Sequence, residues 1–123
     1  MNDLLIRSVR LAGVLAIAVV LGSTPASAGD PARTVGFVFG SVVVIRNACG
    51  FTGDPNGLGR MLQGARLEKA DISPGGQRRP EFQEGSHEAR LLLTARLQRD
   101  GRDTFCSFAL ARYGSAGLGV VKG

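Results

Sequence analysis

Along the chain, apolar positions recur at intervals of three and four far more often than they alternate. Val35, Val38, Val42, Ile45 and Cys49 step in this way through Thr34–Cys49, the most apolar stretch after the first 28 residues. That spacing predicts a helix with one buried face, ended by Arg46, Asn47 and Gly50. Val and Phe are strand formers, and Gly36 and Gly40 each weaken a helix by about 1 kcal/mol. The helix is still favoured, because a buried helix can be apolar all round. At 34–49 it is too short to span a bilayer, which needs about 20 residues.

Asp54-Pro55 is an N-cap followed by proline at the first helical position. It opens a second helix over Asn56–Leu67, with Leu58, Met61, Leu62 and Ala65 on one face and Arg60, Gln63, Arg66 and Glu68 on the other. Ala70–Pro80 contains Pro74-Gly75-Gly76 and is predicted to be a linker. Between Pro80 and Gln98, Phe82, Gly85, Ala89, Leu92, Leu93 and Leu97 form the next apolar stripe. Glu81, Glu84 and Glu88 fall early and Arg90, Arg96 and Arg99 late, which suits the helix dipole. Ser86 could cap a fresh start if Gly85 interrupts the first turn. A last helix runs from Phe105 to Tyr113, capped by Asp103 or Thr104 and stopped by Gly114. The Gly-rich tail, Ser115–Gly123, is expected to be loose.

The alternative for this half is a hairpin turning at Asp100-Gly101, a strong two-residue turn signal. It would pair Leu97 with Thr104, Ala95 with Cys106, Leu93 with Phe108 and Leu91 with Leu110, giving an α+β fold. Leu, Ala, Arg and Glu dominate the segment and favour helix. The expected fold is therefore mainly α, with three or four helices around one core.

The first 28 residues change where this domain belongs. Arg7 and Arg10 precede the apolar run Leu11–Leu21, eleven residues long, and Ala26-Ser27-Ala28 follows. Positive end, apolar centre and small-residue site are the parts of a secretory signal peptide, with cleavage between Ala28 and Gly29. Residues 1–28 are thus expected to be a signal peptide and 29–123 a single exported domain, periplasmic or secreted, with no stable membrane span after cleavage.

Charge and cysteines narrow the function. The whole chain holds 15 basic and 10 acidic residues; Arg7, Arg10 and Asp3 belong to the leader, which leaves 13 and nine, a net charge of +4 on 95 residues. The signs are mixed, with no basic stripe interleaved with aromatics, so no nucleic-acid partner is expected. Cys49 and Cys106 are the only cysteines. An even count in an exported chain reads as one disulfide, and their separation excludes a Cys-x-x-Cys redox motif.

Candidate chemistry is sparse. His87 is the only histidine, and with Glu84 and Glu88 it makes a poor zinc site. Ser86 beside His87 does not make a hydrolase, because neighbours on a helix face different ways. Glu81, Glu84 and Glu88 read as a charged helix face, and Tyr113 as a half-buried anchor at a helix end. No catalytic residue, metal ligand or cofactor is therefore assigned. The leading expectation is a non-catalytic exported protein that binds a protein or envelope partner. The second is an inhibitor or effector using Arg78-Arg79 on an exposed loop against a foreign enzyme or surface. A small hydrolase ranks last.

Overall fold

The computed structural model describes residues 29–123. The chain divides into Met1–Asp30 and Pro31–Gly123. The expected signal peptide, with the expected cleavage positions Ala26 and Ala28, lies outside the described residues. Gly29 stands at their start, exposed.

Pro31–Gly123 is mainly helical. The elements are α1 (Pro31–Cys49), β1 (Thr52–Gly53), α2 (Pro55–Gly64), the single turn α3 (Lys69–Ile72), α4 (Arg79–Asp100), α5 (Arg102–Tyr113) and β2 (Val121–Lys122). The Asp100-Gly101 turn joins two helices and no hairpin forms. Gly101 takes φ +85° and is the single residue between α4 and α5. Neither Asp103 nor Thr104 caps α5, because the helix already begins at Arg102 with Gly101 as its N-cap. Nor does α4 restart at Ser86; it runs unbroken through Gly85.

The α1–α4 contact explains the glycines. A Cβ on Gly36 would lie 2.0 Å from the carbonyl oxygen of Phe82, and one on Gly40 would lie 2.4 Å from that of Ser86. From the other side, a Cβ on Gly85 would lie 2.0 Å from the Arg33 carbonyl oxygen. Glycines that cost helix propensity thus let two backbones touch, as small residues do in tightly packed helix pairs. The contacts advance in the same direction along both helices, so α1 and α4 run parallel. α5 runs antiparallel to α1, since Cys106 reaches Cys49 and Tyr113 reaches Ser41.

Val35, Val38, Val42 and Ile45 are buried, as their spacing predicts. The main core joins Val38, Val42 and Ile45 to Leu93, Phe105, Ala109 and Tyr113. A smaller cluster forms from Val35, Ile72 and Phe82, with Leu62, Ala65 and Leu67 packed against it. By length and composition alone, the 19-residue α1 could cross a membrane. It is three residues longer than the 34–49 stretch the apolar pattern marks, and it contributes nine buried residues to this domain.

One segment ends sooner than the sequence suggests, and two are more ordered. Asp54 caps α2 as expected, accepting from the Asn56 N–H at 3.0 Å. α2 then stops at Gly64 and not at Leu67, where Arg66 turns the chain at φ +56°. The 70–80 segment is not plain linker. It begins inside α3, whose Asp71 carboxylate accepts from the Glu68 N–H at 2.8 Å, and Ile72 is buried. The tail is not loose. Val120 and Val121 are buried, β2 pairs antiparallel with β1, and the Val120 N–H donates to the Tyr113 carbonyl at 2.8 Å. Gly57 lies against the Gly119 carbonyl, where a Cβ would come within 1.8 Å.

Candidate binding groove

The disulfide is the one covalent feature the sequence points to. Cys49, at the end of α1, is bonded to Cys106 in the second turn of α5, with Cα atoms 5.7 Å apart. Arg102 closes the same corner, its Nε donating to the Ala48 carbonyl at 2.8 Å. The bond therefore fixes α5 against α1 independently of α4.

That placement leaves a groove of about 580 Å³ between α4 and α5. Its floor is Phe37, Leu93, Phe108 and Tyr113, with Leu92 on the lip and Ala95 as the small side chain of the α4 wall. Tyr113 turns its ring to the groove and its hydroxyl inward. The phenol donates to Ser41 Oγ at 3.2 Å, and the Ser41 hydroxyl donates to the Phe37 carbonyl at 2.8 Å. This buried relay satisfies the polar end of the ring and holds the floor in place. The expected anchor role of Tyr113 is thus real, but the residue is buried and not half-buried.

Three arginines edge the groove. The Arg96 guanidinium lies 3.5 Å from the Phe108 ring centroid, a cation–π contact, and its Nε is 3.5 Å from Asp100 Oδ2. Arg99 donates from Nε to Asp100 Oδ1 at 2.9 Å. These N–H groups hold the Asp100 carboxyl below the usual carboxylate range, Arg99 first, against a smaller opposing effect of desolvation. Arg112, from α5, has no side-chain hydrogen bond or ion pair among the described residues. Leu92 was expected in the core but is 55% exposed, because the α4 stripe that meets α1 narrows to Phe82, Gly85, Ala89 and Leu93.

The other candidate residues fall elsewhere. Glu84 and Glu88 do form a charged face, and Arg33 of α1 bridges them. Its Nη1 donates to Glu84 Oε1 and its Nη2 to Glu88 Oε2, both at 2.6 Å. Hydrogen bonding to Glu88, then to Glu84, raises the Arg33 pKa further. Sequence reasoning missed Arg33, which lies 51 residues before its first partner. His87 is exposed on α4 and lines a shallow cavity of about 410 Å³ with Arg79, Gln83 and Arg90. Ser86 also borders this cavity, and among the described residues no hydrogen bond joins it to His87.

Arg78-Arg79 is not an exposed loop. Arg79 begins α4 and donates from Nη1 to the Ile72 carbonyl at 2.8 Å, while Arg78 sits 3.9 Å from Glu81. Both side chains help join the 70–80 segment to α4. Among the described residues, no group of three or more His, Cys, Asp and Glu is placed to hold a metal ion. No protein-family model, curated protein or solved structure matches this chain.

Proposed function

We propose that the chain is exported and acts, in the periplasm or outside the cell, as a non-catalytic protein that binds a macromolecular partner or the cell envelope. The observation that carries this reading is the Cys49–Cys106 bond between residues 57 apart. Structural disulfides of this kind persist in oxidising compartments. The charged, apolar and small-residue order of residues 1–28 supports the same compartment. The groove between α4 and α5 favours binding, since an apolar floor with a few polar groups at its edge is how ligand sites are built. Arginine is also enriched at the energetic centres of interfaces.

The test is expression of the full sequence in a Gram-negative host, followed by fractionation and intact mass measurement. The expected product is a released chain beginning at Gly29, lighter by two hydrogens than the dithiol form. Intact chain beginning at Met1 and confined to the membrane fraction overturns export. The binding half is tested by photo-crosslinking from position 92 in envelope extracts, where a discrete adduct is expected and its absence counts against a macromolecular partner.

A further inference from the structure

We propose that the α4–α5 groove is a site for a medium-chain fatty acid, the alkyl chain lying on the aromatic floor and the carboxylate meeting Arg112. This goes beyond partner binding and stands whether or not the leader is cut where expected.

Shape is the first argument. The groove holds about 580 Å³, inside the range of about 300–1,000 Å³ typical of small-molecule sites. The floor is apolar and aromatic, and Ala95 leaves the space that a larger side chain would fill. Its one phenol is already satisfied by Ser41, so the floor offers rings and methyl groups but no free hydroxyl.

Charge is the second. Arg96, Arg99 and Arg112 edge the groove, and among the described residues no acidic side chain lines it. Asp100 occupies Arg96 and Arg99 from the side. Arg112 keeps its full donor set, a planar fork that matches a carboxylate. Arg112 also lines the adjoining concavity of about 500 Å³ with Ala111, Gly117 and Leu118. Leu92 and Leu118 are 55% and 48% exposed, so apolar surface lies on both sides of the unpaired cation. An anionic head with one alkyl chain complements that pattern; a neutral or cationic amphiphile does not.

The probe is laurate, kept below its micellar concentration and titrated into the purified, oxidised chain. Tyr113 is the only tyrosine and the chain has no tryptophan, so intrinsic fluorescence reports from the groove floor itself. Calorimetry supplies the stoichiometry. Saturable binding of one laurate per chain is expected, with no response to acetate or to dodecyltrimethylammonium. Ala95→Trp, at an exposed position, should abolish binding by filling the groove, with calorimetry as its readout. Arg112→Glu should weaken binding about tenfold or more. Circular dichroism confirms that each variant is folded. Laurate binding unchanged in both variants overturns the site, as does equal binding of the cationic amphiphile. Association only with vesicles containing phosphatidylglycerol, and not with monomeric laurate, makes the face a membrane contact instead. A concentration-dependent dimer that Ala95→Trp disperses makes it a contact between copies of the chain. Either outcome overturns the proposal and leaves the export reading untouched.

Discussion

Replacing Gly36 with alanine inverts the usual rule for glycine in a helix. Propensity alone favours alanine by about 1 kcal/mol. The new methyl, however, would sit 2.0 Å from the Phe82 carbonyl oxygen, where ordinary van der Waals contact begins near 3.4 Å. α1 and α4 must part by about 1.4 Å at that point. The obstacle is backbone on a helix, so no rotamer change relieves it. A gap of about 0.5–1 Å already forfeits a quarter to a half of a dispersion contact, and Val35, Phe82 and Ala89 sit along this seam. Overpacking of a tight interior costs about 1–3 kcal/mol. The upper end applies to a backbone clash, so the net loss is about 2 kcal/mol once the propensity gain is subtracted. For a domain of this size that lowers Tm by about 8–16 °C. Gly59→Ala is the control, because nothing lies within 4 Å of its Cβ. It should raise stability by about 0.5–1 kcal/mol. Urea titration of both variants with the disulfide intact measures the pair. A Gly36→Ala midpoint at or above that of the parent refutes the close-contact argument.

Other outcomes follow from the same structure. Cys106→Ser removes a bond closing 57 residues and should cost about 4 kcal/mol in the chain-entropy treatment, read from urea midpoints. Val120→Ala should cost about 2 kcal/mol, because the side chain is fully buried and its loss leaves a cavity; an unchanged midpoint would mean that the tail is not part of the core. Asp100 has its folded pKa below its unfolded value, chiefly through Arg99. Its contribution to stability is therefore full above about pH 4 and is lost as pH falls through the folded pKa. Asp100→Asn should flatten the fall in urea midpoint between about pH 4 and 2.

What the sequence makes legible depends on the range of the interaction. Asp54-Pro55 marks the start of α2 because a cap acts over two residues. The face Val35, Val38, Val42 and Ile45 is legible for the same reason, since one helix turn sets it. The Cys49–Cys106 bond is long-range but leaves a chemical mark, two cysteines and no others. Gly36, Gly40 and Gly85 carry no such mark. Their meaning lies in a partner backbone roughly 50 positions away, so locally they read as helix breakers. Val120 and Val121 mislead similarly: glycines flank them, and their burial depends on β1 and Gly57 far upstream. At Asp100-Gly101 the dipeptide permits either a hairpin or a helical corner, and flanking propensity decides for the corner. The groove is least visible, because it arises only where α4 and α5 diverge over Phe37.

The parallel course of α1 and α4 has a consequence for the order in which this domain can assemble. A chain leaving the end of α1 is about 28 Å from where α4 must begin, at 1.5 Å for each of its 19 residues. No tight corner can join them, and residues 50–78 make the return journey. During synthesis, the apolar stripe of α1 therefore emerges long before anything that can cover it. Val38, Val42 and Ile45 wait for Leu93 and Phe105, and the closure entropy of that long connection must be met first. The contacts between α1 and α4 are non-local, which slows folding. A chain cut off before α5 leaves part of the apolar face of α1, the most apolar helix among the described residues, without Phe105, Ala109 and Tyr113 to cover it.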